Sequence, residues 1–215
     1  MSSMLSLKVI VGSTRGGRLA DRVAPWVVER ATAHGAFAVQ VLDLRDVALP
    51  MFQETDQVFA SPEPVWSTPA VTAWNRAISA GDAFLVVTPE YNRSVPPVLK
   101  NAIDSVYASY GFRNKAAGFV GYSIGRLGGA RAVEHLANIA VEHELVPLSN
   151  AVLIPQAHQV FASDAPLDPG LDTALEILLD DLAWWGEALR RARALGELPP
   201  SGRRPARAPR PAGRA

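Results

Sequence analysis

Apolar and polar positions alternate along this chain in two rhythms. Short continuous apolar runs bounded by turn residues read as strands buried on both faces: LKVIVG (7–12), FAVQVLDL (37–44), AFLVVTP (83–89), AAGFVGYS (116–123) and NAVLIP (150–155). Between them the apolar residues recur at helical spacing. Leu19, Ala20, Val23, Ala24, Val27, Val28 and Ala31 form one stripe, and Leu171, Leu175, Leu178, Leu182, Trp185 and Leu189 form another. VTAWNRAIS (71–79), VPPVLKNAIDSVYAS (95–109) and the stretch 127–145 also read as helices; the prolines of the second suit a first helical turn, where an N–H has no partner to lose. Five strands alternating with five helices predict an α/β fold, a doubly wound five-stranded parallel sheet. The proline-containing stretch 51–69 is long for a connection and is a candidate lid or interface element.

Composition narrows the chemistry. The 215 residues include no cysteine, which removes disulfides, thiolate metal sites and a cysteine nucleophile. The four histidines lack a metal-ligand spacing. No signal-like N-terminus and no long apolar run is present, so the expectation is a soluble cytoplasmic protein with no membrane partner. The formal charge of zero conceals an asymmetry: the end SGRRPARAPRPAGRA carries five arginines and no acid, leaving the rest of the chain near −5. Such a segment has no apolar side chains to bury and is expected to be disordered. The reading is therefore a domain over residues 1–195 and a Pro/Arg-rich tail over 196–215. The tail is expected to be solvated, with nucleic acid not the expected partner.

Three loops carry unusual chemistry: GSTRGGR (12–18), TPEYNRSVPP (88–97) and GYSIGRLGG (121–129). In the order 2-1-3-4-5 their strands are neighbours, and ligands bind at the carboxyl ends of strands where such an order reverses. Gly12 and Gly17 have the spacing of a nucleotide P-loop. Arg18 and Leu19, however, stand where the lysine and the metal-binding hydroxyl would be. What remains suits a single monophosphate: the hydroxyls of Ser13 and Thr14, free amides entering a helix, and the guanidinium groups of Arg15 and Arg18. Tyr91 and Asn92 offer a wall for a planar ligand, while Gly125, Gly128 and Gly129 allow close approach and Ser123 adds a hydroxyl. Glu90 is the one carboxylate in these loops, which argues against paired-acid hydrolysis, and no G-x-S-x-G elbow occurs.

GSTRGGRLADRVAPWV, TPEYNRSVPPVLKNAIDSV and SIGRLGGARAVEHL together resemble the NAD(P)H-dependent FMN reductases, a flavodoxin-like family with chromate- and azo-reducing members. The resemblance runs from about Lys8 to Arg193. It implies FMN bound without metal, with Ser13, Arg15 and Arg18, and the adjoining Leu19 and Ala20, around the phosphate. It also implies that Pro89, Glu90, Tyr91 and Asn92 flank the isoalloxazine, with Ser123 and Gly125 on its other edge. Arg18 replaces a serine common in relatives, Ala20 lies near a common asparagine, and Ile124 sits where glycine is frequent. The implied activity is hydride transfer from NADPH or NADH through flavin N5 to a small-molecule electron acceptor: a quinone, azo dye, metal ion or free flavin. The cofactor carries that chemistry, so no catalytic acid or base is expected. Arg93 and Arg126 are candidates for meeting a 2′-phosphate, though as loop charges they are equally suited to solvent. A homodimer or homotetramer is implied, with the helix PPVLKNAIDSVY (96–107) as an interface candidate whose apolar stripe serves a core equally well.

Three other readings remain open on sequence. One is a flavodoxin-like FMN electron carrier without its own NAD(P)H turnover, against which the mild acidity of the domain argues. Another is a ligand-sensing regulator using the basic tail on nucleic acid. A metal-dependent ATPase is the weakest.

Overall fold

All five apolar runs become strands of one parallel sheet, in the order 2-1-3-4-5. In the computed structural model, which describes residues 4–55, 58, 61 and 64–196, these are β1 (Leu5–Val11), β2 (Phe37–Asp43), β3 (Ala83–Pro89), β4 (Ala116–Tyr122) and β5 (Val146–Ile154). The helices are α1 (Ala20–Ala33), α2 (Leu44–Val47), α3 (Pro69–Ser79), α4 (Pro97–Asp104), α5 (Ala130–Glu142), α6 (Ala157–Val160) and α7 (Gly170–Ala194). The flavodoxin-like fold is as expected. The expected tail falls almost wholly in residues 197–215, outside the described residues.

The sheet has a core on each face because successive side chains of a strand point to opposite sides. Val9, Val11, Leu85, Val87 and Val120 pack toward α1 and α7, against Trp26, Leu175, Leu178 and Leu182. Ile10, Phe84, Val86 and Phe119 pack the other way, against Trp74, Leu99 and Leu136. Every residue of β3 and β4 is buried, as befits central strands covered on both sides. Lys115 closes the amino end of β4, donating its Nζ to the carbonyls of Ile78, Ser79 and Gly111.

Where elements differ from the sequence pattern, side chains and turns explain it. The helix expected over 95–109 ends at Asp104 and resumes as a 3-10 turn, Tyr107–Ser109. The Ser105 hydroxyl joins its amide on the Asn101 carbonyl, and the amides of Val106 and Ser109 then turn to carbonyls three residues back, Ile103 and Val106, tightening the chain into the 3-10 turn. Its apolar stripe, Leu99, Ala102, Ile103 and Val106, lies within the core of this single chain. The helix expected from 127 begins only at Ala130, after two residues of positive φ. β5 starts four residues earlier than its apolar run, where Val146 and Pro147 pair with Ala116 and Ala117 before a register shift. The described part of 51–69 is pinned to α4: Asn101 donates to the Pro50 carbonyl and accepts from the Phe52 amide, at 2.9 and 2.7 Å.

Leu85 is fully buried at the centre of β3. Its replacement by alanine should cost about 2–5 kcal/mol, through lost burial and the cavity left behind. Chemical denaturation should show the loss as a lower midpoint with an unchanged slope.

Candidate functional site

The carboxyl ends of β1, β3 and β4 lie side by side, because Val11 pairs with Val87 and Pro89 with Tyr122. The three loops singled out on sequence therefore converge at one edge of the sheet. A hydroxyl pair joins the first two directly: Ser13 Oγ lies 2.8 Å from the Tyr91 phenol. Arg15 places its guanidinium 5.8 Å from the centre of the Tyr91 ring, within cation–π range.

The first loop presents a set of unused donors. Among the described residues, the backbone N–H groups from Ser13 to Leu19 meet no acceptor. The N-cap of α1, Leu19, has no side chain able to cap them. Gly17 turns the chain at φ 61°, a left-handed conformation that suits glycine. Unpaired amides at a helix start form an anion-binding site, reinforced by the helix dipole. Arg15 is exposed and has no carboxylate partner among the described residues. Thr14 is likewise exposed, whereas Ser13 is buried.

Arg18 is placed differently from Arg15. Its side chain is only 5% exposed and its donors are committed within the protein. Nε donates to Asp21 at 2.9 Å, and the two terminal nitrogens engage both oxygens of Asp43 and the Ser13 carbonyl. Arg45 continues the network to Asp21 and to the Arg15 carbonyl, both at 3.2 Å. Burial alone would raise the pKa of the Asp43 carboxyl. The bonds from the Arg18 guanidinium and Arg45 amide, with both positive charges, outweigh it and hold that carboxyl below its usual range. The Arg18 guanidinium is in turn held protonated, chiefly by Asp43.

In the second loop, Tyr91 and Ser94 exchange backbone hydrogen bonds of 2.8 and 3.0 Å around Asn92 and Arg93. Both central residues have positive φ, 48° and 70°. This is the tight primed turn usually made by Asn-Gly, and Arg93 holds it at some cost in strain. The turn leaves Asn92 and Arg93 exposed at the rim. Glu90 points away from the opening: its side chain, 5% exposed, pairs with the guanidinium of Arg131, and the Arg131 amide also donates to it. The Ser94 hydroxyl lies 2.8 Å from His135 Nδ1. Two residues of α5 thus anchor this loop.

The third loop begins at Ser123, whose hydroxyl donates to the Gly125 carbonyl at 3.2 Å. Gly129 adopts φ 87°, and a Cβ there would stand 2.5 Å from the Tyr122 amide, so only glycine fits against the end of β4. Gly125 has open space around it, while Ile124, Arg126 and Leu127 are exposed.

A protein-family model described as NADPH-dependent FMN reductase matches residues 5–159. The chain belongs to that family. Among its relatives is a quinone reductase of Pseudomonas putida, 33% identical over 197 residues, which cover 86% of this chain and 96% of the relative. An NAD(P)H-dependent FMN reductase of Pseudomonas aeruginosa is 37% identical over 154 residues, covering 69% and 80%. Among solved structures, the flavoenzyme NAD(P)H:(acceptor) oxidoreductase FerB from Paracoccus denitrificans superposes with a TM-score of 0.69 at 28% identity, covering 86% of this chain and 98% of FerB. This FMN reductase family member is accordingly an NAD(P)H-dependent oxidoreductase with FMN as its flavin. The electron-carrier alternative gives way to an enzyme. Among the described residues, no helix is long and apolar enough to cross a membrane.

Sequence reasoning missed Asp43, Arg45, Arg131 and Tyr122 at this site. Asp43 had a usable signal: it closes the β2 run, and with β2 beside β1 the end of that run abuts the first loop. Arg131 sits within the GGAR motif, but nothing local pairs it with Glu90, 41 residues away.

Because the folded-state pKa of Asp43 is depressed, its contribution is complete above the ordinary aspartate value of about 4 and fades as pH falls below it. Asp43→Asn should therefore flatten the acid limb of a stability-versus-pH curve and cost about 1–3 kcal/mol at pH 7. Thermal melts of both proteins between pH 3 and 7 check both. A steeper acid limb in the variant would contradict the assignment.

Proposed function

We propose that the three converging loops hold FMN, with the phosphate on the 13–19 amides and the isoalloxazine between the loops after β3 and β4. The observation that carries this reading is the run of amides before α1 that meet no acceptor among the described residues, bordered by Arg15, which has no carboxylate partner among them. A phosphate dianion supplies acceptors to those donors, so the residues present fit the group. Arg15, with Ser13 and the backbone from Arg18 to Ala20, would hold it. Arg18 would act through the backbone, by keeping the Ser13 carbonyl and Asp43 in place. Pro89 to Asn92 would border the ring mainly through backbone atoms and the Tyr91 side chain, with Ser123 and Gly125 across from them.

Bound FMN supplies two-electron chemistry, accepting a hydride from NAD(P)H and passing reducing equivalents onward. The chain's own groups orient and bind: Glu90 is locked to Arg131, and no side chain stands free as an acid or base among the loop residues described above. For the acceptor we favour a quinone-class molecule. The exposed Ile124 and Leu127 give the rim an apolar surface suited to a flat ring, and the Pseudomonas putida relative is a quinone reductase. Arg93 and Arg126, exposed on the same rim, are the proposed contacts for a nicotinamide 2′-phosphate. A homodimer or homotetramer is the proposed assembly, measurable by light scattering.

The decisive experiment is anaerobic absorbance spectroscopy of the protein loaded with FMN. NADPH should bleach the flavin band, and a benzoquinone added afterwards should restore it; a band that stays unbleached with both NADPH and NADH would reject the reading. Arg15→Ala should weaken FMN binding by about 1.5–3 kcal/mol, the scale of a charge-assisted hydrogen bond. Riboflavin, lacking the phosphate, should bind variant and parent equally, as read by quenching of flavin fluorescence.

A further inference from the structure

Tyr122 ends β4 with its side chain in the core facing α1 and α7, and is 3% exposed. Its phenol oxygen is wholly buried, yet it makes no hydrogen bond. Buried tyrosine hydroxyls normally find a partner, because a phenol withdrawn from water without one is destabilising. The groups around it are Tyr91, Arg18, Ser13 and Asp21. None of them meets it in a hydrogen bond, although the Ser13 hydroxyl lies close enough to favour its ionised form. Ser13 Oγ is engaged with the Tyr91 phenol, and its carbonyl is taken by Arg18. The Asp21 carboxylate is taken by Arg18 and Arg45. Arg18 has only donors. The Tyr122 phenol is thus left without a partner among groups engaged with one another, next to the run of amides from Ser13 to Leu19 that meet no acceptor among the described residues.

Resting on the reading that these loops hold FMN, we infer that Tyr122 is a further binding residue, whose phenol donates a hydrogen bond to the flavin's phosphate from beneath the first loop. The ligand gives the buried phenol the partner that it lacks within the protein. Burial is the main influence on the phenol, pushing its pKa up, with the Tyr91 phenol adding to this and Arg18 and Ser13 opposing it. It therefore stays protonated and has a proton to donate. The arrangement also gives selectivity, because riboflavin enters the same loops without the atoms that Tyr122 would meet.

The test is Tyr122→Phe, which keeps the ring packing and removes only the hydroxyl. FMN affinity, measured by fluorescence quenching, should fall about tenfold, as for the loss of one hydrogen bond to a charged group. Riboflavin affinity should not change. Without flavin the variant should melt no lower than the parent, since the hydroxyl it loses has no partner there. The rise in melting temperature on adding FMN should be smaller than in the parent. The phosphorus-31 resonance of bound FMN should also move. Unchanged FMN affinity in a folded variant would overturn the inference, as would an equal loss for FMN and riboflavin, which would place the hydroxyl on another part of the flavin. A parent protein that binds no FMN would instead overturn the proposed function on which the inference rests.

Discussion

The pairing of Arg18 with Asp43 is the interaction on which the shape of the first loop depends. It joins the ends of β1 and β2, and through the Ser13 carbonyl and Asp21 it also fixes the turn and the first turn of α1. Removing a guanidinium and a carboxylate from water is costly, and such a pair contributes little net stability unless its geometry and its remaining donors are satisfied. Here each of the three guanidinium nitrogens has a partner. The cost is offset by geometry, and what it secures is the conformation of a loop whose amides meet no acceptor among the described residues. The charge balance follows. Asp21 and Asp43 neutralise two of the three arginines in and beside this loop, leaving the exposed Arg15 as the excess positive charge.

Several groups around the loops are kept in states that a purely structural turn would avoid. Arg93 holds a left-handed conformation, the Tyr122 phenol is buried without a partner, and seven successive amides lack acceptors. The strained turn and the buried phenol are unfavourable in the protein alone, and their concentration beside the unmet amides at one edge of the sheet is the physical mark of a ligand site. The same edge is rigidly supported from behind. Glu90–Arg131 and Ser94–His135 fasten the second loop to α5, and Gly129 packs the start of that helix against Tyr122. Strain and unmet polarity can persist there because buried sheet and helix over-determine the positions of the loops.

Family membership and local chemistry agree on a division of labour. On the proposed reading, the flavin brings reactivity, and the chain brings orientation and charge. That is consistent with a site in which the only loop carboxylate is buried against an arginine. On the proposed reading, selectivity among acceptors rests with the rim, where Ile124, Leu127, Asn92 and Arg93 are exposed.

Apolar runs of strand length and helical stripes of small and branched residues determined the elements and their order, because burial on both faces leaves a pattern in the chain itself. β3 was legible to its exact ends, since turn residues flank a run buried throughout. The loop chemistry was legible too, as glycines, hydroxyls and arginines at strand ends. What each loop residue does was decided only by the tertiary structure. Arg15 and Arg18 are three positions apart and chemically identical, yet one faces solvent and the other is buried against Asp43, 25 residues away. Nothing in the local sequence distinguishes them; the difference arises because parallel pairing sets Asp43 beside Val11. Tyr122 reads as one more apolar strand residue, and its hydroxyl acquires meaning only where β4 ends beneath the loop after β1. Periodicity reports burial, which is a property of one segment, whereas hydrogen-bond partners belong to pairs that only the folded sheet brings together.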